Sequence, residues 1–147
     1  MNEIISAGEG KKLRTYKTFK IEFRLEHYLF CIPNQNHRVA LAQYRLSSHN
    51  LGIETGRHCR PPKPACDRIC LHCSSGHVDD EIHLLTGCEF HSVARQSFVT
   101  LVNIKMHNYQ EMSDLDKFTA VMRESDADVI KALAKFIYTA FRQRQQV

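Results

Sequence analysis

The chain has 147 residues, of which 43% are hydrophobic and 24% charged, with a net charge of +4. That is an ordinary globular composition, long enough for one domain with its own core. It argues against low-complexity and repeat architectures, and no apolar run approaches the roughly 20 residues of a membrane-spanning helix.

The charge is uneven. Residues 1–68 hold 12 Lys/Arg against 6 Asp/Glu, whereas residues 69–147 hold 8 against 10. A basic half beside a near-neutral half suits contact with nucleic-acid phosphates.

Residues 1–12 read as a disordered lead with little to bury. Residues 13–32 carry two patterns. Phe19 to Glu26 alternates as a strand would. Read as a helix, Tyr16, Phe19, Phe23 and Phe30 share one side and Ile21, Leu25, Leu29 and Ile32 the other. The length favours helix, since strands are usually shorter. Pro33-Asn34-Gln35-Asn36 then breaks the chain. Asn34 or Asn36 can cap a second helix over about 37–50, with Val39, Leu41, Ala42 and Leu46 as its apolar set. Pro61, Pro62 and Pro64 make residues 55–68 an extended connector. Lys17, Lys20, Arg24, Arg38, Arg45, Arg57 and Arg60 are the candidates for a phosphate-contacting surface. Each has a plainer role open to it, as a solvated side chain or an ion-pair partner of Glu54.

The stretch from Cys70 to Cys88 organises the reading. Cys70, Cys73, His83 and Cys88 follow the spacing C-x2-C, nine residues, His, four residues, Cys. Three thiolates and one imidazole suit a closed tetrahedral zinc site. The C-x2-C pair turns in a tight knuckle, and Gly76 lets the chain reverse as a short hairpin because it tolerates positive φ. Asp79 or Asp80 is placed to cap a helix beginning near Glu81 and carrying His83. On one continuous helix His83 and Cys88 would diverge by about 140°, so Gly87 is expected to end the helix and let Cys88 swing back. Cys66 and His77 are the alternative ligands. No secretory signal pattern supports disulfides, so the cysteines read as metal ligands of a protein that is not secreted.

After the motif the chain reads as helices. Phe90, Ala94, Phe98, Leu101 and Val102 recur at helical spacing over about 89–105. Ser113 caps a short helix with Leu115, Phe118 and Met122. Ser125-x-x-Asp128 resembles a capping box, and a final helix over about 126–144 has the clearest period, through Ile130, Leu133, Ala134, Ile137 and Phe141. The expected fold is mainly α, one helical domain with a small zinc knuckle in its middle. Its parts are the basic region and connector (13–68), the zinc motif (69–95) and the C-terminal helices (96–147).

Three groups of residues carry a resemblance. They are T-Y-K-T-F-K and E-H-Y-L within Thr15 to Leu29, H-R-V-A-L-A-Q-Y-R-L-S-S-H-N-L-G-I-E-T-G-R from His37 to Arg57, and R-I-C-L-H-C with V-D-D-E-I-H-L-L-T-G-C and a trailing Arg95. Together they resemble the C-terminal zinc-binding region of reverse transcriptases from non-LTR retrotransposons. The paired catalytic aspartates of such a polymerase do not precede the motif here, so polymerase activity is not carried over. The resemblance implies a structural zinc, RNA or DNA as partner, the polymerase part of a longer parent as a further one, and a nuclear setting. No G-x-S-x-G, P-loop or H-E-x-x-H is present, so the chain reads as a binding module and not an enzyme. The other reading is a zinc-stabilised helical domain that docks a protein.

Overall fold

The computed structural model describes residues 13–20, 22 and 25–146. The chain is mainly helical. Helices α1 (Tyr16–Phe19), α2 (Tyr28–Cys31), α3 (Gln35–Arg45) and α4 (Gly52–Thr55) precede the metal motif. Helix α5 (Glu81–Thr86) lies within it. Helices α6 (Ser92–Lys105), α7 (Asp114–Arg123) and α8 (Ala127–Gln145) follow. Short 3-10 turns at Gly56–His58, Ala65–Asp67, Glu89–His91 and Tyr109–Glu111 join them.

Helix α8 is the spine. Its 19 residues run about 28 Å at 1.5 Å per residue. Val129, Ile130, Leu133, Ala134, Phe136, Ile137 and Ala140 are buried along one broad arc. That arc packs against α3 and α6, and the Phe98 and Phe136 rings stack at 5.9 Å. Helices α5 and α7 pack on each other, and α1 packs on α7.

Three expectations change. Among the described residues of 13–32, the expected helix is replaced by two single turns, and Lys20 after the first is in extended backbone. Arg123 explains the first stop, because its guanidinium takes the carbonyls of Thr18 and Phe19 at 3.2 and 3.3 Å. Glu26 ties the first turn to the core, accepting from Tyr16 (2.6 Å) and pairing with Lys20 (3.0 Å) and Arg45 (3.2 Å).

The second helix ends at Arg45, and its inner face is Ala40, Leu41, Tyr44 and Arg45, while Val39 and Leu46 face outward. Two polar-ended side chains set that phase. The Tyr44 hydroxyl donates to the Glu81 carbonyl at 2.6 Å, and the Arg45 guanidinium lies over the rings of Phe19 and Tyr28.

The last helix is capped by Asp126 and not Ser125. The Asp126 carboxylate accepts from the N–H groups of Asp128 and Val129. The caps at Asn34 and Ser113 form as the sequence indicates. Leu115, expected inside, is exposed.

Candidate metal centre

Three pieces of chain bring the four donors together. Cys70 and Cys73 come from a tight hairpin closed by an antiparallel bridge between Ile69 and Val78. The Cys70 N–H donates to the His77 carbonyl at 2.9 Å and the Asp79 N–H to the Arg68 carbonyl at 2.8 Å. Gly76 makes the reversal at φ +74, where a side chain would be strained. His83 comes from α5, whose cap is Asp80. That carboxylate accepts from the His83 N–H at 2.8 Å. Cys88 follows the end of α5, where the N–H groups of Gly87 and Cys88 both converge on the His83 carbonyl at 2.9 Å. Gly87 does end the helix, but at φ −131. The turn toward Cys88 is therefore made by two bonds on one carbonyl and not by a left-handed glycine.

One donor atom from each of Cys70, Cys73, His83 and Cys88 lies within 4.8 Å of the others. Cys73 Sγ is 3.3 Å from His83 Nε2, and the sulfurs of Cys70 and Cys88 are 3.9 Å apart. A tetrahedral ion with bonds of about 2.3 Å to sulfur and 2.0 Å to nitrogen needs donors about 3.5–3.8 Å apart. The cluster is thus compatible with a metal such as zinc.

Burial decides the chemistry of these groups. Cys70, His83 and Cys88 are buried and Cys73 is half-buried. Burial pushes the Cys88 thiol up to about 12 and raises that of Cys70. Burial also opposes the Cys73 thiolate, yet hydrogen bonding from Ser75 and the other two cysteines holds its pKa below the usual thiol value. The His83 pKa is lowered, chiefly by burial, which favours the neutral imidazole that ligates metals. A cation among these sulfurs offsets the cost of burying thiolates.

A surrounding shell braces the ligands. Arg95 donates from Nη2 to the carbonyls of Leu84 and Cys88, each at 2.8 Å, and its guanidinium faces the Phe136 ring of α8. Glu81, two residues before His83, is fully buried. It accepts from Arg14 (2.8 Å at the shortest), Ser47 (2.9 Å) and His49 (2.8 Å). Asp79 accepts from the Gly52 N–H at 2.6 Å and pairs with Arg144. Gly52 is needed there, because a Cβ would sit 2.9 Å from that of Asp79. Sequence reasoning missed this shell. In the sequence Asp79 reads as a cap candidate and Glu81 as the start of a helix, and the side-chain partners of both lie at least 27 positions away.

Cys66 and His77 lie outside the four-donor group and are exposed. The candidate phosphate-contacting residues scatter. Lys17 and Arg60 are exposed. Arg38 is half-buried and donates to the Ile32 carbonyl at 2.7 Å. Lys20 pairs with Glu26, and Arg57 pairs with Glu54 at 2.9 Å. Arg24 lies outside the described residues. Arg45 is the clear correction: it is buried, bonded to the Met122 carbonyl and paired with Glu26, because its guanidinium is taken into the aromatic core.

The fold and site define a mainly helical chain with a Cys3His cluster at its middle. No family model, curated protein or solved structure matches it.

Proposed function

We propose that the chain is a nucleic-acid-binding module built around one structural zinc ion, with no catalytic or polymerase activity of its own. The observation that carries the proposal is the convergence of Cys70, Cys73, His83 and Cys88 within 4.8 Å. Four protein donors leave no open position for water or substrate, which is the pattern of a structural and not a catalytic zinc. The resemblance to the C-terminal region of non-LTR retrotransposon reverse transcriptases supports RNA or DNA as the ligand, the polymerase part of a longer parent as a partner, and a nuclear setting. The excess of Lys and Arg over residues 1–68 agrees with a phosphate ligand.

Elemental analysis of reduced wild type and Cys73→Ser tests the metal. One zinc per chain in wild type, lost in the variant, is expected; a metal-free wild type sinks the zinc claim. Binding to RNA and DNA oligonucleotides across a salt series tests the ligand. The logarithm of the affinity should fall linearly with the logarithm of salt.

A second reading, docking of another protein, is favoured by Leu71 at 88% exposure on the knuckle and Val93 at 82%. Apolar docking predicts binding that hardly responds to salt, with loss on Leu71→Ser.

A further inference from the structure

The solvent face of α8 carries a second feature, which the sequence-based basic residues do not include. At about 100° per residue, Lys131, Lys135, Tyr138 and Arg142 fall within an arc of about 60°. They lie opposite the buried arc of the same helix. Lys131, Lys135 and Arg142 are exposed, and none has an acidic partner among the described residues. Along α8 the only acid is Asp128 in its first turn, and Asp128 turns to Lys105. Helix α3, packed beside α8, contains no acid at all. His37 of α3 lies against Tyr138 with ring centroids 5.1 Å apart, so an aromatic pair sits in the middle of the cationic row. Burial and then the charge of Lys135 lower the His37 pKa, the second because that ammonium lies near the ring pair.

We infer that the row Lys131–Lys135–Arg142, flanked by His37 and Tyr138, is the surface that takes the nucleic-acid phosphate backbone. The inference rests on the nucleic-acid reading above and moves the contact from the N-terminal basic residues to α8. The row spans about 16 Å along the helix axis, and its three cations can take up to three phosphates. A charged solvent face is common on helices, but such faces usually interleave acids with their bases. Three cations without an acidic partner attract an anion without first breaking an internal pair; Asp128, one turn before Lys131, is engaged by Lys105.

The test uses a duplex DNA of about 20 base pairs and arbitrary sequence. It compares wild type, Lys131→Gln/Lys135→Gln/Arg142→Gln, and Lys17→Gln/Arg60→Gln. Each phosphate contact contributes about 0.9 to the slope of log affinity against log salt. Removing the α8 row should therefore reduce the slope by about 2 to 3 and weaken binding more than about tenfold near 0.1 M salt. The Lys17/Arg60 variant should change little, and Lys131→Arg/Lys135→Arg/Arg142→Lys should bind as wild type does. Unchanged helix content and metal content guard against misfolding. If the Lys17/Arg60 variant loses the slope and the α8 variant keeps it, the inference falls while the nucleic-acid reading stands. If wild type shows no salt-dependent binding to this duplex, the inference falls; if RNA fails as well, the nucleic-acid reading falls with it.

Discussion

Glu81 carries its charge where water does not reach. Burial alone would neutralise it, but the hydrogen bond and charge of His49 and the paired Arg14 hold its pKa down to about 2. Removing one partner of a buried pair typically costs about 3–5 kcal/mol, because the other charge is left uncompensated. Arg14 keeps Glu54 as a second partner at 3.3 Å, so Glu81→Gln is expected near the low end, about 3 kcal/mol, by urea unfolding at pH 7. A loss under about 1 kcal/mol would mean that Glu81 braces nothing. His91 behaves differently under acid. It is fully buried, with Nδ1 against Gln143 at 2.9 Å and Nε2 without a partner, and burial lowers its pKa to about 4. A depressed pKa gives stability that is whole above the unfolded value of about 6.5 and fades as pH falls toward 4. Glu81 stays ionised through that window, since its own contribution fades only below about 4.3. Between pH 7 and 5.5, wild type should therefore lose about 1 kcal/mol more than His91→Gln. Both proteins share the metal site, so parallel curves would refute the role of His91.

At the level of elements, caps and phases follow from local chemistry in some places and from distant partners in others. Asn34, Asp80 and Ser113 cap the helices the sequence assigns to them, because a cap needs only its own side chain and the next few N–H groups. The last helix separates two neighbouring candidates. Asp126→Ala should cost about 1 kcal/mol in thermal or urea unfolding, whereas Ser125→Ala should cost almost nothing, since Ser125 makes no cap bond. Equal costs would contradict the assignment. The phase of α3 was not legible, because apolarity alone cannot show that Tyr44 reaches the Glu81 carbonyl or that Arg45 stacks on two rings. The helix expected over 13–32 failed for a related reason. Its apolar residues fit a helix, but Arg123, about 100 positions away, takes the carbonyls that would have continued it. The four donors were legible because ligand spacing is a local constraint.

Across the whole molecule, the segments that look like separate motifs in the sequence are two sides of one polar core. Ser47 and His49 bond Glu81, Gly52 bonds the Asp79 carboxylate, and the Ile53 N–H donates to the Asp79 carbonyl at 3.0 Å. Arg68 fills the space beside Gly56 and donates to the Ile53 carbonyl at 2.6 Å. Residues 47–56 therefore hold the hairpin and α5 that present the metal ligands. Structural zinc in finger peptides contributes about 10–16 kcal/mol, against about 5–15 kcal/mol for the net stability of a typical domain. If zinc occupies the site, its removal should not stop at residues 69–95, as motif boundaries alone would suggest, but should spread into 47–56. Amide hydrogen exchange with and without a chelator reads this directly. The Ile53 and Gly52 amides should lose protection together with those of Cys70 and Cys88, while the amides of α8 buried against α3 and α6 keep more of theirs. Continued protection of Ile53 in the chelated protein would show that the two segments unfold independently, and that the shell around Glu81 and Asp79 does not transmit the loss of the metal.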